Sequence, residues 1–446
     1  MHFSYFDAPA DWAAEDRARV GRYAEHAAFA GGEQWAGKAR RGETRLTLNY
    51  ARALIRKSAS YCFPAPVRFS VESADDAEAA NRAERALNDL ADRLNLGQLD
   101  LDLAIESATL GDAALKVTWN ADALRPSVAA VHPGTLRAWT SPDDPRRVLR
   151  IEQRYRLDRE EALALFGTEA ALLAGERIEV REGWTNERWR VTLGGQAIRD
   201  EVNPYGWIPY LLVPNDPPAH QLWGVSDLDD LAGLCRELNR RMSVLGRVLE
   251  LSGAPIAVLE NVDSAEGIVV GPGATWELPE GAKAYLLDLL SGGGVDLHVQ
   301  FVDLLYRALH DLSETPRTAF GDAGRMLSGA ALEVEIQPLV QRVRRRRRRW
   351  EEVYRARNAR LLDLLERFGG VDLGGIRQST PIWPPILPSD ADAAARTAAL
   401  LVGQQIQSRR SALVNLGFAD PDAELARMAD ESTLFDRPPS ASAIRS

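Results

Sequence analysis

Residues 226–253, SDLDDLAGLCRELNRRMSVLGRVLELSG, decide how the rest of this sequence is read. Leu228, Leu231, Leu234 or Cys235, Leu238, Met242, Leu245 and Leu249 fall at three-and-four spacing, so one apolar line runs along a helix. Ser226 and Asp229 have the spacing of a capping box at its start, and Gly253 and Pro255 close it. At 1.5 Å per residue the helix is about 42 Å long, and a single stripe of that length needs a partner. The partner is expected at Val295 to Ser313, where Phe301 or Val302, Leu305, Leu309 and Leu312 repeat the pattern. The two helices should pack side by side. Between them, 254–294 reads as a small module of short β-type runs (Ile256 to Leu259, Gly267 to Val270, Thr275 to Leu278, Ala284 to Leu289) separated by glycine-rich turns.

Outward from this hairpin, the N-terminal part predicts helices over Trp12–Ala30, Leu48–Tyr61, Ala77–Leu94 and Leu99–Leu110, the last ended by Gly111. Residues 114–214 then carry β-type runs at Leu115–Trp119, Ser127–His132, Arg147–Tyr155, Arg177–Trp184, Trp189–Leu193 and Trp207–Val213, with one helix at Arg159–Phe166. After an aperiodic loop at Thr315–Ser328, a third long helix is predicted from Gly329 to Phe368, kinked at Pro338, which removes a backbone donor and crowds the carbonyl four residues earlier. A proline-rich connector leads to short helices at Ala391–Leu401, Ser411–Leu416 and Asp422–Ala429. The fold class is therefore α+β, predominantly helical.

Composition narrows the function. The 446 residues are 45% apolar and 26% charged, which is globular composition for two to four domains, and the net charge of −10 argues against a free-standing protein that grips nucleic acid by its phosphates. Two distant cysteines, Cys62 and Cys235, fit a reducing compartment, and no apolar run approaches the roughly 20 residues of a membrane span.

Motifs for chemistry are weak. Gly32 to Lys38 has the Gly-x4-Gly-Lys skeleton of a phosphate loop, but Ala39 replaces the magnesium-binding hydroxyl and a helix, not a strand, precedes it. A glycine-rich turn is the favoured reading and a nucleotide-hydrolysing enzyme the alternative. The six histidines and two cysteines form no metal-ligand frame, and no nucleophile elbow occurs, so no catalytic residue, metal or cofactor is expected. Arg342 and Arg344 to Arg349 are the sharpest charge feature. Six consecutive helical residues point all around the axis, and Val340, Val343, Trp350 and Val353 flank them. Pairing with acidic groups or solvation is therefore favoured over phosphate contact.

The order of parts resembles the portal proteins of tailed double-stranded-DNA phages, closest to the SPP1-like type. The resemblance is carried by Leu48-Asn49-Tyr50 and Cys62-Phe-Pro-Ala-Pro, Gly111-Asp-Ala-Ala-Leu-Lys-Val, Ile208-Pro-Tyr, and Gly224-Val-Ser-Asp-Leu-Asp-Asp-Leu. It continues with Leu251-Ser-Gly-Ala-Pro, Phe320-Gly-Asp, Ser328-Gly-Ala-Ala-Leu and Leu416-Gly-Phe-Ala-Asp-Pro-Asp-Ala-Glu. The resemblance implies a portal fold assembled as a ring, usually of twelve subunits, at a capsid vertex of the virion, built in the host cytoplasm. It implies a wing (1–225 and 329–370), a stem (226–253 and 295–314), a clip (254–294), a tunnel loop (315–328), a crown (371–431) and a flexible tail (432–446).

The implied partners are the terminase large subunit, a head-completion or adaptor protein, the major capsid and scaffolding proteins, and double-stranded DNA passing without sequence specificity. No membrane is involved. Within this frame Phe320, Arg325 and Met326 are expected near the channel, and Asp227, Asp230, Asp296 and Asp303 are candidates for channel-facing carboxylates that repel phosphate, with Asp229 and Asp311 beside them. Glu260, Trp276 and Glu280 are candidates for docking at the clip. Another ring-forming virion protein with the same hairpin is the remaining alternative.

Overall fold

The computed structural model describes residues 9–167, 176–253, 257–261, 278, 280–286, 294–321, 329–387, 391–416, 418, 421 and 424–429. Helix makes up 50% and strand 19% of the described residues, in agreement with a mixed, mainly helical fold.

Helices α1 (Ala14–Gly31), α2 (Tyr50–Cys62), α3 (Ala77–Arg93) and α4 (Leu96–Leu110) open the chain close to the expected bounds. The side chain of Asp76 caps α3 by accepting from the Ala79 N–H, and Ala80, Ala83, Leu87 and Leu90 form its buried face. A three-stranded antiparallel sheet follows, in the order β3 (Arg125–Val131), β2 (Asp112–Asn120), β9 (Tyr210–Pro214). Beside it, β4 (Leu136–Thr140), β5 (Val148–Asp158), β6 (Arg177–Trp184), β7 (Arg188–Leu193) and β8 (Gln196–Val202) form a five-stranded antiparallel sheet in chain order, with α5 (Arg159–Phe166) after β5. Alternation puts Ile178, Val180 and Trp184 on the buried face of β6. Two three-residue strands, β1 (Arg68–Ser70) and β12 (Thr380–Ile382), pair across most of the chain.

Helix α6 (Leu228–Gly253) and helix α7 (Gly294–Leu312) pack together as expected from their stripes. In the module between them, β10 (Ala257–Glu260) pairs antiparallel with β11 (Lys283–Leu286). These correspond to the first and last of the four predicted runs, and the middle two lie outside the described residues apart from Leu278. Helix α8 (Gly329–Arg367) continues through Pro338, which sits on its exposed side. It buries Leu339, Val343, Trp350, Tyr354, Leu361 and Leu364 against α3, β2 and β9. Helices α9 (Ala391–Gly403) and α10 (Arg409–Asn415) form the small terminal unit, and residues 424–429 are helical as expected.

The cores explain how the hairpin stands. Leu228, Leu231, Cys235 and Leu238 of α6 and Leu305 and Leu309 of α7 are buried together with Phe29, Leu54, Ile55 and Ala108 of the first four helices. Farther along, Leu249 of the α6 stripe is 52% exposed, and on α7 Leu297 and Leu304, which lie off its stripe, are 68% and 60% exposed. The hairpin is thus rooted in the main body and bare along its outer length.

Candidate functional site at the stem root

Two of the sequence motifs separated by more than a hundred residues form one socket. Gly111 ends α4 with φ +106, a conformation glycine adopts without strain, and a side chain there would press on the backbone of Gly224–Ser226. Gly224 is packed more tightly still, since an added Cβ would lie 2.3 Å from the carbonyl oxygens of both Asn215 and Gly111. The Gly224 N–H donates to Asp112 Oδ1 at 2.8 Å, and Tyr23 Oη donates to Asp112 Oδ2 at 2.5 Å. Ser226 Oγ donates to the Thr109 carbonyl and accepts from the Leu228 N–H at 3.0 Å, which caps α6. The expected capping box is not completed: Asp229 instead accepts a hydrogen bond from His26 Nε2 at 3.0 Å.

The arginine run locks the hairpin to α8. Asp227 is 6% exposed at its side chain and binds Arg346 Nη2 through both oxygens at 2.6 and 2.7 Å. It also takes Arg342 Nη2 at 2.6 Å and Asn215 Nδ2 at 3.0 Å. Arg342 Nη1 donates to the Ser313 carbonyl just past α7, and Arg346 Nη1 donates to Ser58 Oγ of α2 at 3.1 Å. One carboxylate therefore joins the start of α6, the end of α7, α2 and α8. Burial pushes the Asp227 carboxyl up, but Arg346 and Arg342 together outweigh it and hold it below the usual range. Burial also lowers both arginines. Only Arg346, gripped through two oxygens, ends above its ordinary value; Arg342, which receives one, stays below.

Asp227 is consequently not a channel-facing carboxylate. Its charge is consumed inside one chain, contrary to the expectation from sequence, because two arginines over a hundred residues away reach it. The other candidates lie on the surface. Asp230 and Asp296 are exposed, and Asp303 is half-exposed and paired with Arg307 at 2.5 Å. The rest of the arginine run follows the pairing reading: Arg345 binds Glu314, Arg349 lies 3.4 Å from Asp216, and Arg347 donates to the carbonyls of Cys62 and Pro384. Arg344 and Arg348 are exposed.

Of the loop residues, Phe320 closes a 3-10 turn (Arg317–Phe320) and is 40% exposed. Its ring meets His310 edge-on at 5.8 Å, and His310 Nδ1 donates to the Thr315 carbonyl at 2.6 Å, so the start of the loop is held against α7. Arg325, Met326 and Trp276 lie outside the described residues. Glu260 is exposed and accepts from Tyr285 Oη at 3.1 Å, and Glu280 is exposed in a turn.

The Gly32–Lys38 segment has the wrong geometry for a phosphate cradle. Gly32 caps the C-terminus of α1, and Arg45 donates to the carbonyls of Gly37 and Lys38 at 2.7 and 2.9 Å. The loop thus presents acceptors to a cation, where a phosphate would need N–H donors. Among the described residues no group of His, Cys, Asp or Glu could hold a metal ion, and no helix is long and apolar enough to cross a membrane.

No curated protein matches the chain. Residues 296–433 match the family profile described as phage portal protein, SPP1 Gp6-like. That family is structural and not enzymatic, and its members are components of the phage virion. The matched segment begins in α7 and runs through α8 and the terminal helices, and over that third of the chain the match supports the resemblance to phage portal proteins.

Proposed function

We propose that this chain is the subunit of a closed ring at one capsid vertex, through whose axial channel the genome is packaged and ejected. The observation that carries the reading is the bare outer hairpin. Leu249 and Leu297 are exposed toward the outer end of two helices rooted in the main body, and Leu304 and Leu312 are exposed nearer the root. Apolar surface of that kind is stabilised when covered by further copies. In such a ring α6 and α7 form the stem, β10 and β11 belong to the clip, and residues 315–328 form the tunnel loop. Asp230, Asp296 and Asp303 are the carboxylates available to face DNA, where they would repel phosphate and keep the duplex sliding. Glu260 and Glu280, with Trp276, belong to the surface offered to terminase and to head-completion proteins. The wing faces the capsid and scaffolding proteins.

Light scattering of the purified chain tests this. Twelve copies of a 49.1 kDa subunit give a particle of about 590 kDa, and negative-stain views should show a ring with an axial hole. A monomer that persists at high concentration would overturn the reading. Shortening 321–327 should impair packaging while leaving rings intact.

A further inference from the structure

A cavity of about 350 Å³ opens inside one chain between β9 and α8, with the segment before β5 at its rim. Trp207, Ile208, Leu211, Val353 and Ala356 supply its apolar wall, and Asn186, Asn215 and Gln221 are among its polar lining residues. Arg360 lies among them. Its guanidinium sits 5.1 Å from the centre of the Trp207 ring, and its Nη1 donates to the Tyr210 carbonyl at 3.1 Å. No carboxylate among the described residues pairs with it.

Arg347, which donates only to the Cys62 and Pro384 carbonyls, shares this lack of a carboxylate, and the other buried arginines do not. Arg19, Arg154, Arg346 and Arg357 are buried and each is paired with an Asp or a Glu. Arg360 is partly exposed by area, yet sunk deeply enough that desolvation alone pulls it down to about 10. A cation so placed is costly unless an anion joins it. The rim carries Arg146, Arg349 and Glu352, so the entrance does not repel a negative ligand.

We propose that this cavity binds a small carboxylate with a flat or branched apolar body, its carboxyl group on Arg360 and its hydrocarbon against Trp207, Ile208 and Leu211. A carboxylate suits one guanidinium better than phosphate does, because two parallel N–H donors match its two oxygens and neutralise its single charge. A dry cavity of about 150 Å³ holds benzene, so by proportion this one has room for about 14 non-hydrogen atoms, the size of a fused-ring aromatic acid. The site lies within one subunit and does not depend on the ring reading.

Calorimetric titration of the full-length chain with naphthoate, beside neutral naphthamide, tests the proposal. Naphthoate should bind and naphthamide at least tenfold more weakly, the loss expected when a charge-assisted hydrogen bond is removed. Arg360→Gln should weaken naphthoate by a similar factor, and Arg360→Lys should restore part of the affinity. Ala356→Leu fills the cavity on an intact helix and keeps Arg360, and should abolish binding while the far-UV circular dichroism is unchanged. No binding of naphthoate at millimolar concentration, equal binding of naphthamide, or naphthoate affinity unchanged in Ala356→Leu would each overturn the proposal. So would loss of oligomerisation in Arg360→Gln without naphthoate binding to the native chain, since the missing anion would then come from a second copy.

Discussion

Asp227→Asn tests whether one carboxylate holds the hairpin to the main body. The replacement keeps the shape and removes the charge, leaving the buried Arg346 and Arg342 facing an amide that can offer only one acceptor oxygen. Breaking a buried ion pair from one side costs about 3–5 kcal/mol, because the remaining charge has lost its counter-ion out of water. With two arginines sharing the carboxylate, the upper part of that range is expected. At about 2–4 °C per kcal/mol for a unit of this size, the melting temperature should fall on the order of 10 °C.

The assay is thermal and urea unfolding near neutral pH, with the exposed Asp230→Asn as a control that should stay within about 0.5 kcal/mol. The double variant Asp227→Asn, Arg346→Met should recover part of the loss by removing one of the stranded charges. The pH dependence has a fixed sign. The folded carboxyl is held below its ordinary value, so its contribution is complete above the unfolded value of about 3.9 and is lost as pH falls through the lower folded value. The difference between native chain and variant should therefore be constant from mildly acidic to neutral pH and shrink only in strong acid. A loss below about 1 kcal/mol would refute the argument, because it would mean that solvent already screens the network.

Glu106 on α4 behaves oppositely: burial pushes its carboxyl up to about 7, so the folded chain favours the protonated form. Its penalty is small near pH 5 and complete above about pH 7, and Glu106→Gln should stabilise the chain there by up to about 3 kcal/mol, measured as a melting-temperature gain that vanishes in acid. Gly224→Ala has no space for its methyl group between Asn215 and Gly111. It should destabilise by more than about 3 kcal/mol or abolish soluble expression, and a native-like melting temperature would contradict the socket. Replacing Leu297 and Leu304 together by Ser removes apolar surface that the single chain leaves bare. Ring yield by light scattering should drop while the far-UV spectrum is unchanged, and rings in full yield would show that this surface is not used in assembly.

Helix periodicity is a local property, and it made most of the architecture readable before any fold was known. The stripes of α6 and α7, the four opening helices and α8 follow from apolar spacing alone. The strands found from sequence, such as β6, alternate apolar and polar residues. Two longer strands were missed, β4 (Leu136–Thr140), which pairs with β5, and β8 (Gln-Ala-Ile-Arg-Asp-Glu-Val), which is almost wholly exposed and pairs only with β7 at the sheet edge. Neither β1 nor β12 exceeds three residues, and only their meeting defines them.

The site divides in the same way. Val340, Val343, Trp350 and Val353 mark the buried sector of α8, and its period places Arg346 and Arg347 in that sector. The partner of Arg346 was not legible, because Asp227 stands 119 positions earlier and looks in sequence like any other carboxylate flanking a helix. Nor could sequence show that Gly111 and Gly224 share one contact. Spacing along a chain reports which face of an element turns inward. Which charge meets which depends on where distant segments return in space, and only the packed structure decides that.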